Sequence, residues 1–290
     1  MKYLVTGSQG MLGTDVLDLF GHRHEVFGID LHNCNILNKG QLEDIVSRFR
    51  PDVIIHTAAY TNVDQAESEQ DQAAALNERG TAIVAKASRK FQAKLVYIST
   101  DYVFDGSKKT PYKETDSPNP QGVYGKTKLS GEQQVQQILD KDQWLIVRIA
   151  WLYGLHGKNF VAAILQRAQE IGRLQVVNDQ FGGPTYTRDV AVAISALLEA
   201  TASGIFHVCN SGQCSWYEFA IRILCHAGLS HVPIEPISSV DLQRPAPRPN
   251  YSVLDTSKFT SLIGQAPRHW EDALQMYFEE VTSYKLSRHV

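Results

Sequence analysis

The stretch KYLVTGSQGMLG (residues 2–13) joins a short strand-like run to three glycines spaced three apart. Gly7 permits a tight turn, Gly10 lets a phosphate group approach the backbone, and Gly13 allows a helix to pack closely on the strand. The start of that helix would face the phosphates. The spacing is G-x-x-G-x-x-G rather than G-x-G-x-x-G, and a plain tight turn is the alternative interpretation. The predicted cofactor-binding residues of this turn are Gly7, Gly10, Met11, Leu12 and Gly13.

Five further strand-like runs follow along the chain, each bounded by turn residues: 24–30, 52–58, 94–100, 144–150 and 204–210. Amphipathic segments of helical period lie between them, as at 41–49 and 72–90. This alternation is typical of right-handed βαβ units with a buried parallel sheet. We therefore predict an α/β fold with a doubly wound parallel sheet of the Rossmann type, with ligands bound beyond the carboxyl ends of the strands. Residues 1–150 would form the dinucleotide-binding domain, joined by the strand at 204–210.

The regular alternation weakens after about residue 151. Residues 172–190 are punctuated by Gly and Pro, and RPAPRPNYS (244–252) is an irregular Pro-rich run. Ser215 and Glu218 have the spacing of a capping box that opens a helix. We expect residues 151–290 to form a smaller, discontinuous substrate-binding lobe.

Composition narrows the classes of partner. The chain has 290 residues, 43% of them hydrophobic and 20% charged, with a formal net charge of −3. Scattered basic residues disfavour nucleic acid, and the lack of a long apolar run disfavours a membrane partner. The first residues enter a strand without a signal-peptide layout, so we expect a cytoplasmic protein. Its four cysteines and ten histidines show no metal-site spacing, which disfavours a structural zinc site and predicts free, mostly buried thiols.

The adenosine side of a dinucleotide would meet the second and third strands. Asp30 ends the second strand about 20 residues after the glycine turn, where a carboxylate binds ribose hydroxyls. A 2′-phosphate there would meet a like charge, which favours NADH, although Lys39 nearby could soften this effect. Both NADH and NADPH stay open. Small residues after the third strand would let the cofactor lie against the backbone, with tight packing as an equally good alternative; the predicted contacts are Ala58, Ala59, Tyr60 and Thr61.

Two later segments predict the reactive end of the site. STDYVFDG (99–106) ends the fourth strand, and YGKTK (124–128) places Tyr124 and Lys128 one helical turn apart. Reduction of a ketone requires a proton donor, and the positive charge of Lys128 would lower the pKa of the Tyr124 phenol and so ease proton release. Lys128 could also bind the nicotinamide ribose. A strand-end hydroxyl would donate to the ketone oxygen, and neighbouring strand residues face opposite sides, so only one of Ser99 and Thr100 can serve.

The chain resembles the extended short-chain dehydrogenase/reductase family. Within it, segments from residue 2 to about 254 are similar to those of the dTDP-4-dehydrorhamnose reductases: AAYTNVDQAE (58–67), STDYVFDG, VYGKTKLSGE (123–132), RIAWLYG (148–154) and NDQFGGPTYT (178–187). The resemblance implies NAD(P)H-dependent reduction of the 4-keto group of dTDP-4-dehydro-6-deoxy-L-mannose to dTDP-L-rhamnose, for polysaccharide biosynthesis. It selects Thr100 rather than Ser99, and assigns proton donation to Tyr124 and tuning of that donor to Lys128.

The substrate's pyrophosphate and sugar suggest further contacts. Planar guanidinium groups suit a pyrophosphate, so Arg248 is the first candidate and Arg244 the second. Asn159 could contact a phosphate from a helix start, although N-capping explains it equally well. The resemblance implies that Trp151 packs on the sugar, with a core Trp as the alternative. The remaining predicted contacts are Asp101 to sugar hydroxyls, and Asn35 and Ile36 on the adenine side.

Two other functions stay open. A sugar-nucleotide dehydratase of this family carries Thr-Asp-Glu at the strand end, but this chain has Tyr102 in the third position, which disfavours elimination. A nucleotide-sugar epimerase needs no such pair. A catalytically silent regulatory subunit is the other alternative, since the β subunit of methionine adenosyltransferase is similar to this family. Some members of the family hold Mg²⁺ at a dimer contact through carboxylates that this chain does not match, since residues 187–190 read Thr-Arg-Asp-Val. We therefore expect no required metal and a monomer or homodimer.

Overall fold

The computed structural model describes residues 1–287; residues 288–290, at the end of the predicted lobe 151–290, lie outside the described residues. The strands are β1 Lys2–Thr6, β2 Glu25–Ile29, β3 Val53–His56, β4 Lys94–Thr100, β5 Trp144–Ile149, β6 Leu152–Tyr153, β7 Leu174–Val177, β8 Phe181–Gly182, β9 Thr185–Tyr186, β10 Gly204–His207, β11 Cys214–Ser215 and β12 Ile234–Ile237. The helices are α1 Met11–Gly21, α2 Lys39–Phe49, α3 Val63–Ala66, α4 Gln70–Ala74, α5 Thr81–Phe91, α6 Val123–Ile138, α7 Phe160–Ile171, α8 Thr187–Glu199, α9 Trp216–His226, α10 Ser239–Leu242, α11 Ser257–Ile263 and α12 Trp270–Ser287. A π-helical turn, Ala75–Gly80, joins α4 to α5.

The central sheet has six strands in the order β2-β1-β3-β4-β5-β10, and every neighbouring pair is parallel. All six predicted strands are present, including β10, which returns from the second half of the chain to pair with β5. The predicted doubly wound α/β fold is confirmed. Strand order reverses between β1 and β3, and a crevice forms at such a reversal, beyond the carboxyl ends of the strands.

The sheet is apolar on both faces because helices cover both faces. Leu4 and Val5 are neighbours on β1 and are fully buried in different clusters, since successive strand residues point to opposite sides. The Val5 cluster includes residues of α1 and α8, and the Leu4 cluster includes residues of α2, α5 and α6. Strands of this kind read as continuous apolar runs, which is why the sequence pattern revealed them.

A third apolar cluster lies in the second half of the chain. Its buried members include Tyr153, Phe219 and Trp270, contributed by β6, α9 and α12. The predicted capping box is confirmed: the Ser215 hydroxyl accepts from the Glu218 amide at 3.1 Å, and the Glu218 carboxylate accepts from the Ser215 amide at 2.7 Å. This cap starts α9 beside the end of the central sheet.

Some predictions concern the chain as a whole. No helix among residues 1–287 is long and apolar enough to cross a bilayer. The same residues contain no group of three or more His, Cys, Asp and Glu side chains placed to hold a metal ion. The cysteines are free, as predicted; Cys34, Cys209 and Cys214 are buried, and Cys225 is exposed.

Candidate functional site

A cleft of about 750 Å³ opens at the carboxyl ends of the sheet strands. It brings together most of the residues predicted from sequence: Gly7, Gly10, Met11, Leu12, Asp30, Ile36, Ala58, Ala59, Thr61, Thr100, Asp101, Tyr124, Lys128 and Trp151. Five predicted residues do not line it: Gly13, Asn35, Tyr60, Asn159 and Arg248. The two segments that predicted the reactive end therefore meet the glycine turn in one space.

The glycine turn is packed as its spacing predicted. Gly7 has φ +68°, and a Cβ there would lie 2.7 Å from backbone atoms of Ala58, so only glycine fits. A Cβ on Gly13 would lie 2.1 Å from the Gly7 carbonyl oxygen, so this glycine serves close helix packing rather than ligand contact. The result is a tight backbone cradle that ends at the N-terminus of α1, a place suited to a pyrophosphate.

The end of the cleft predicted to hold adenosine is formed by residues after β2. The Asp30 carboxylate accepts hydrogen bonds from the amides of Gln9 at 3.0 Å and Leu31 at 2.8 Å, which fix it at the cleft. Lys39 pairs with Glu43, with 3.7 Å between Nζ and Oε1. Asn35 instead accepts from the amide of Leu37 at 3.0 Å. Ile36 alone of the predicted pair lines the cleft.

The strand-end hydroxyls are separated by their partners. Ser99 donates to the buried Glu132, which forms a 2.7 Å ion pair with the equally buried Arg148. Thr100 donates to Asp101 Oδ1 at 3.0 Å and lines the cleft beside Tyr124. Both hydroxyl protons are held by a carboxylate in this structure, and Thr100 differs from Ser99 in lying against the Tyr124 hydroxyl.

The protonation of Tyr124 and Lys128 is set by burial. Burial raises the pKa of Tyr124 to about 12, although a hydrogen bond with Thr100 opposes the shift. Burial also lowers the pKa of Lys128 to about 7. The Lys128 ammonium donates to the Ile98 carbonyl at 2.6 Å and lies 4.1 Å from the centroid of the Tyr97 ring. Loss of hydration is the largest influence on the pKa of the Tyr124 phenol.

The far end of the cleft is aromatic. Trp151, with φ 45°, stacks on Trp216 with 3.4 Å between ring centroids and 5° between planes. A Cβ on Gly182 would lie 2.2 Å from the Trp151 indole, so Gly182 makes room for it. The pair offers a flat apolar wall, a surface on which a sugar face can pack.

Two predicted substrate contacts have other partners. Asn159 caps α7 by accepting from the Ala162 amide at 3.0 Å, so the N-cap interpretation holds. Arg248 makes a two-pronged ion pair with Asp64, with N–O distances of 2.9 and 3.0 Å. Arg244 also donates to Asp64, at 3.1 Å. The Arg248 guanidinium lowers the pKa of the Asp64 carboxyl, which keeps the pair charged.

Sequence reasoning missed several cleft residues: Gln9, Tyr102, Lys158 and Trp216. Gln9 lies inside the glycine turn and Tyr102 inside the segment DYVF, so both stood in segments already singled out. Trp216 follows the capping residue Ser215, a position that marks a helix start but not a ligand contact. Lys158 carries no motif and could be found only from the fold.

Comparison with known proteins identifies the family. The family model described as the RmlD substrate binding domain matches residues 1–283. The chain is 40% identical to the spore coat polysaccharide biosynthesis protein SpsK of Bacillus subtilis (strain 168), over 97% of this chain and 98% of that protein. It is 38% identical to a dTDP-4-dehydrorhamnose reductase of Aggregatibacter actinomycetemcomitans, over 94% and 97% of the two chains. A crystal structure of dTDP-4-dehydrorhamnose reductase from Bacillus anthracis str. Ames, in complex with NADP, superposes with a TM-score of 0.92 at 39% identity, covering 96% of this chain and 99% of that one. The chain therefore belongs to the RmlD substrate binding domain family.

Proposed function

We propose that the protein uses NADPH or NADH to reduce the 4-keto group of dTDP-4-dehydro-6-deoxy-L-mannose, giving dTDP-L-rhamnose. The observation that carries the proposal is the single cleft in which Tyr124, Lys128 and Thr100 meet the glycine turn. The names of the full-length relatives support the substrate, and the NADP in the related crystal structure supports the cofactor class. The Gly7 cradle suits a dinucleotide because Gly7 and Gly10 line the cleft directly before the start of α1 and carry no side chain of their own.

The reduced nicotinamide, when bound, supplies a hydride to the ketone carbon. Tyr124 gives its phenolic proton to the ketone oxygen, while Thr100 donates a hydrogen bond to the same oxygen and stabilises its developing charge. Lys128 holds the cofactor ribose by a hydrogen bond. Its ammonium also lowers the free energy of the phenolate that forms when the proton leaves.

The substrate would enter from the side of the two tryptophans. Trp151 packs against the sugar face, and Asp101 lies directly behind Thr100 at the edge of the cleft. Residues 1–150 with the strand at 204–210 bind the cofactor, and residues from 151 onward bind the substrate. A cytoplasmic location and a monomeric or homodimeric state remain part of this proposal.

The test is a spectrophotometric assay with the wild-type protein, NADPH or NADH, and the 4-keto sugar nucleotide. We expect the absorbance of the reduced nicotinamide to fall. The variant Tyr124→Phe, which removes only the proton donor, should lower the rate by about 10²–10⁴-fold and leave cofactor affinity unchanged. Undiminished turnover by this variant would contradict the assignment. An isomerised sugar without cofactor oxidation would indicate an epimerase, and no reaction with several 4-keto sugars would indicate a regulatory subunit.

A further inference from the structure

The carboxyl group of Asp101 is buried directly behind the Thr100 hydroxyl. Asp101 is 1% exposed, and its Oδ1 accepts the 3.0 Å hydrogen bond from Thr100. Among the described residues, no donor meets full hydrogen-bond geometry at Oδ2 of Asp101, although the Ser252 hydroxyl faces this carboxyl group. A buried carboxyl oxygen without a donor is costly when charged. Burial therefore favours the protonated form of this group, compared with an exposed carboxylate.

The Thr100 hydroxyl has one proton and two acceptor lone pairs. The Tyr102 amide donates to this oxygen at 3.2 Å, so one lone pair is used. When Asp101 is ionised, the single proton of Thr100 points at the carboxylate and is not offered to the cleft. When Asp101 is protonated, its own proton can be donated to the other lone pair of Thr100. The Thr100 proton must then turn away, toward the cleft and Tyr124.

We propose that protonation of Asp101 turns the Thr100 hydroxyl from Asp101 toward the cleft, so that Asp101 is a positioning residue for ketone reduction. The inference rests on the proposed function, because only a ketone oxygen in the cleft needs this donor. The one bond that forms is the O–H bond of Asp101, whose proton comes from a hydronium ion of the solvent that becomes water, and one hydrogen bond reverses its direction. The form of the enzyme with ionised Asp101 lacks the donor that stabilises the developing alkoxide.

Asp101 and Lys128 are the two groups at this place whose pKa values lie near neutral pH. Burial raises the pKa of Asp101 to about 6. Burial raises the pKa of Cys209 and of Tyr124 to about 12, and that of Tyr102 also rises, so these three stay neutral there. The Ser252 hydroxyl does not titrate. Two cations stand nearby, Lys128 in the cleft, whose pKa burial lowers to about 7, and Arg248 next to Tyr102.

The first experiment compares the dependence of kcat on pH in the wild type and in Asp101→Asn. In the wild type, kcat should fall by roughly ten- to hundredfold as pH rises through the Asp101 titration, since one oxyanion donor is worth at most about 10²–10³. The side chain introduced by Asp101→Asn cannot titrate, so this variant should lose the fall in kcat that follows the Asp101 titration. It should keep the dependence of kcat on pH that comes from Lys128. Asp15→Asn is the matched control, because Asp15 is also buried, with a raised pKa and an unpartnered Oδ2, but lies outside the cleft. It should keep the wild-type profile.

The second experiment asks whether Asp101 acts through Thr100. Thr100→Val should lose the same fall in kcat with pH, and Thr100→Ser should keep it. Adding Asp101→Asn to Thr100→Val should cause no further change in the dependence of kcat on pH. The proposal would be overturned if Asp101→Asn kept the fall in kcat through the Asp101 titration. It would also be overturned if Thr100→Val kept this fall and the double variant lost it.

A third readout needs no turnover. Infrared difference spectroscopy of the ligand-free protein can follow the Asp101 carboxyl, identified by its loss in Asp101→Asn. Thr100→Val should raise the pKa of Asp101, because the carboxylate loses its donor, and Thr100→Ser should restore it. An unchanged titration would show that the two groups are not coupled. If the wild type reduced no dTDP-4-keto sugar, the proposed function would fail while this measurement still decided the coupling.

Discussion

Asp30 brings a negative charge to the part of the cleft where the adenosine ribose would bind. Its carboxylate is fixed by two backbone amides, and Lys39, the cation that could have neutralised it, is paired with Glu43. The lining near Asp30 consists of Ile29, Leu31, Cys34 and Ile36, without a Lys or Arg among these residues. A 2′-phosphate here would face an uncompensated like charge.

We therefore expect kcat/KM to be higher for NADH than for NADPH. Repulsion of about 1–3 kcal/mol, the range between exposed and half-buried charge pairs, corresponds to roughly five- to hundredfold. Asp30→Ser keeps a hydrogen-bonding group without the charge and should shift the ratio of the two kcat/KM values toward NADPH. Asp44→Ser, on the exposed face of α2, is the control and should leave the ratio unchanged. An unaltered ratio in Asp30→Ser would show that the carboxylate does not meet the ribose.

Lys128 illustrates a property that the sequence could not supply. The spacing of Tyr124 and Lys128 predicted that they share a helix face, and both line the cleft. The sign of the pKa shifts depends on burial by segments far away in sequence, and burial disfavours both charged forms. Local spacing therefore predicted the positions of these groups but not their protonation.

The lowered pKa of Lys128 makes stability depend on pH. An unfolded Lys has a pKa of about 10.4, so between about pH 7 and 10.4 the unfolded chain binds more protons than the folded chain. The free energy of unfolding should rise with pH over this range, by about 2 kcal/mol from pH 7 to 9 for this group alone. Urea denaturation at the two pH values would measure it, taken as the difference between the wild type and Lys128→Met. The variant should lack this increment, and an equal rise in both proteins would contradict the shift.

At the level of elements, local sequence patterns were sufficient to predict the strands of the central sheet. Apolar runs with flanking turn residues located the six sheet strands, because buried parallel strands are apolar on both faces. The sequence pattern did not reveal the π-helical turn Ala75–Gly80, because residues 72–90 have the pattern of one continuous amphipathic helix. The Asn77 side chain in that turn accepts a hydrogen bond from the Tyr60 amide at 2.8 Å and donates one to the Thr127 hydroxyl on α6 at 3.0 Å. These tertiary contacts accompany the extra residue in the turn and leave no signal in a single sequence.

The capping box of α9 supports a prediction on stability. Ser215→Ala removes the acceptor for the Glu218 amide, which lies in a partly buried helix start next to Trp216. We expect the free energy of unfolding to fall by about 1 kcal/mol, within the range of 0.5–2 kcal/mol typical of N-cap losses. Urea denaturation would measure it, with Ser283→Ala as the control, since that hydroxyl is exposed near the end of α12 and should change stability by less than about 0.5 kcal/mol. Equal effects of the two changes would show that the cap contributes nothing specific.

For the whole molecule, the βαβ alternation predicted the parallel sheet and the edge at which ligands bind. It could not predict pairs that form between distant segments. Trp151 meets Trp216, and Arg248 meets Asp64 across 184 positions of sequence. The Arg248 contact depends on how the loop 244–252 crosses to the dinucleotide-binding side, which no local periodicity encodes. The cleft was therefore predictable in its cofactor half and less so in its substrate half.

The loop that carries Arg248 joins the two parts of the chain through Asp64, and this arrangement allows a test of the predicted pyrophosphate contact. Arg248 is 19% exposed and Arg244 is 46% exposed, so Arg248 is the more desolvated cation, and a phosphate would gain more from it. Both guanidinium groups share one carboxylate, which leaves a net positive charge at this point. If the substrate's pyrophosphate binds there, Arg248→Met should weaken dTDP binding by about tenfold and reduce its salt dependence, while cofactor affinity stays unchanged. Titration calorimetry with dTDP would measure this, and Arg244→Met should have the smaller effect. Unchanged dTDP affinity in Arg248→Met would mean that the guanidinium serves only to hold the loop against Asp64.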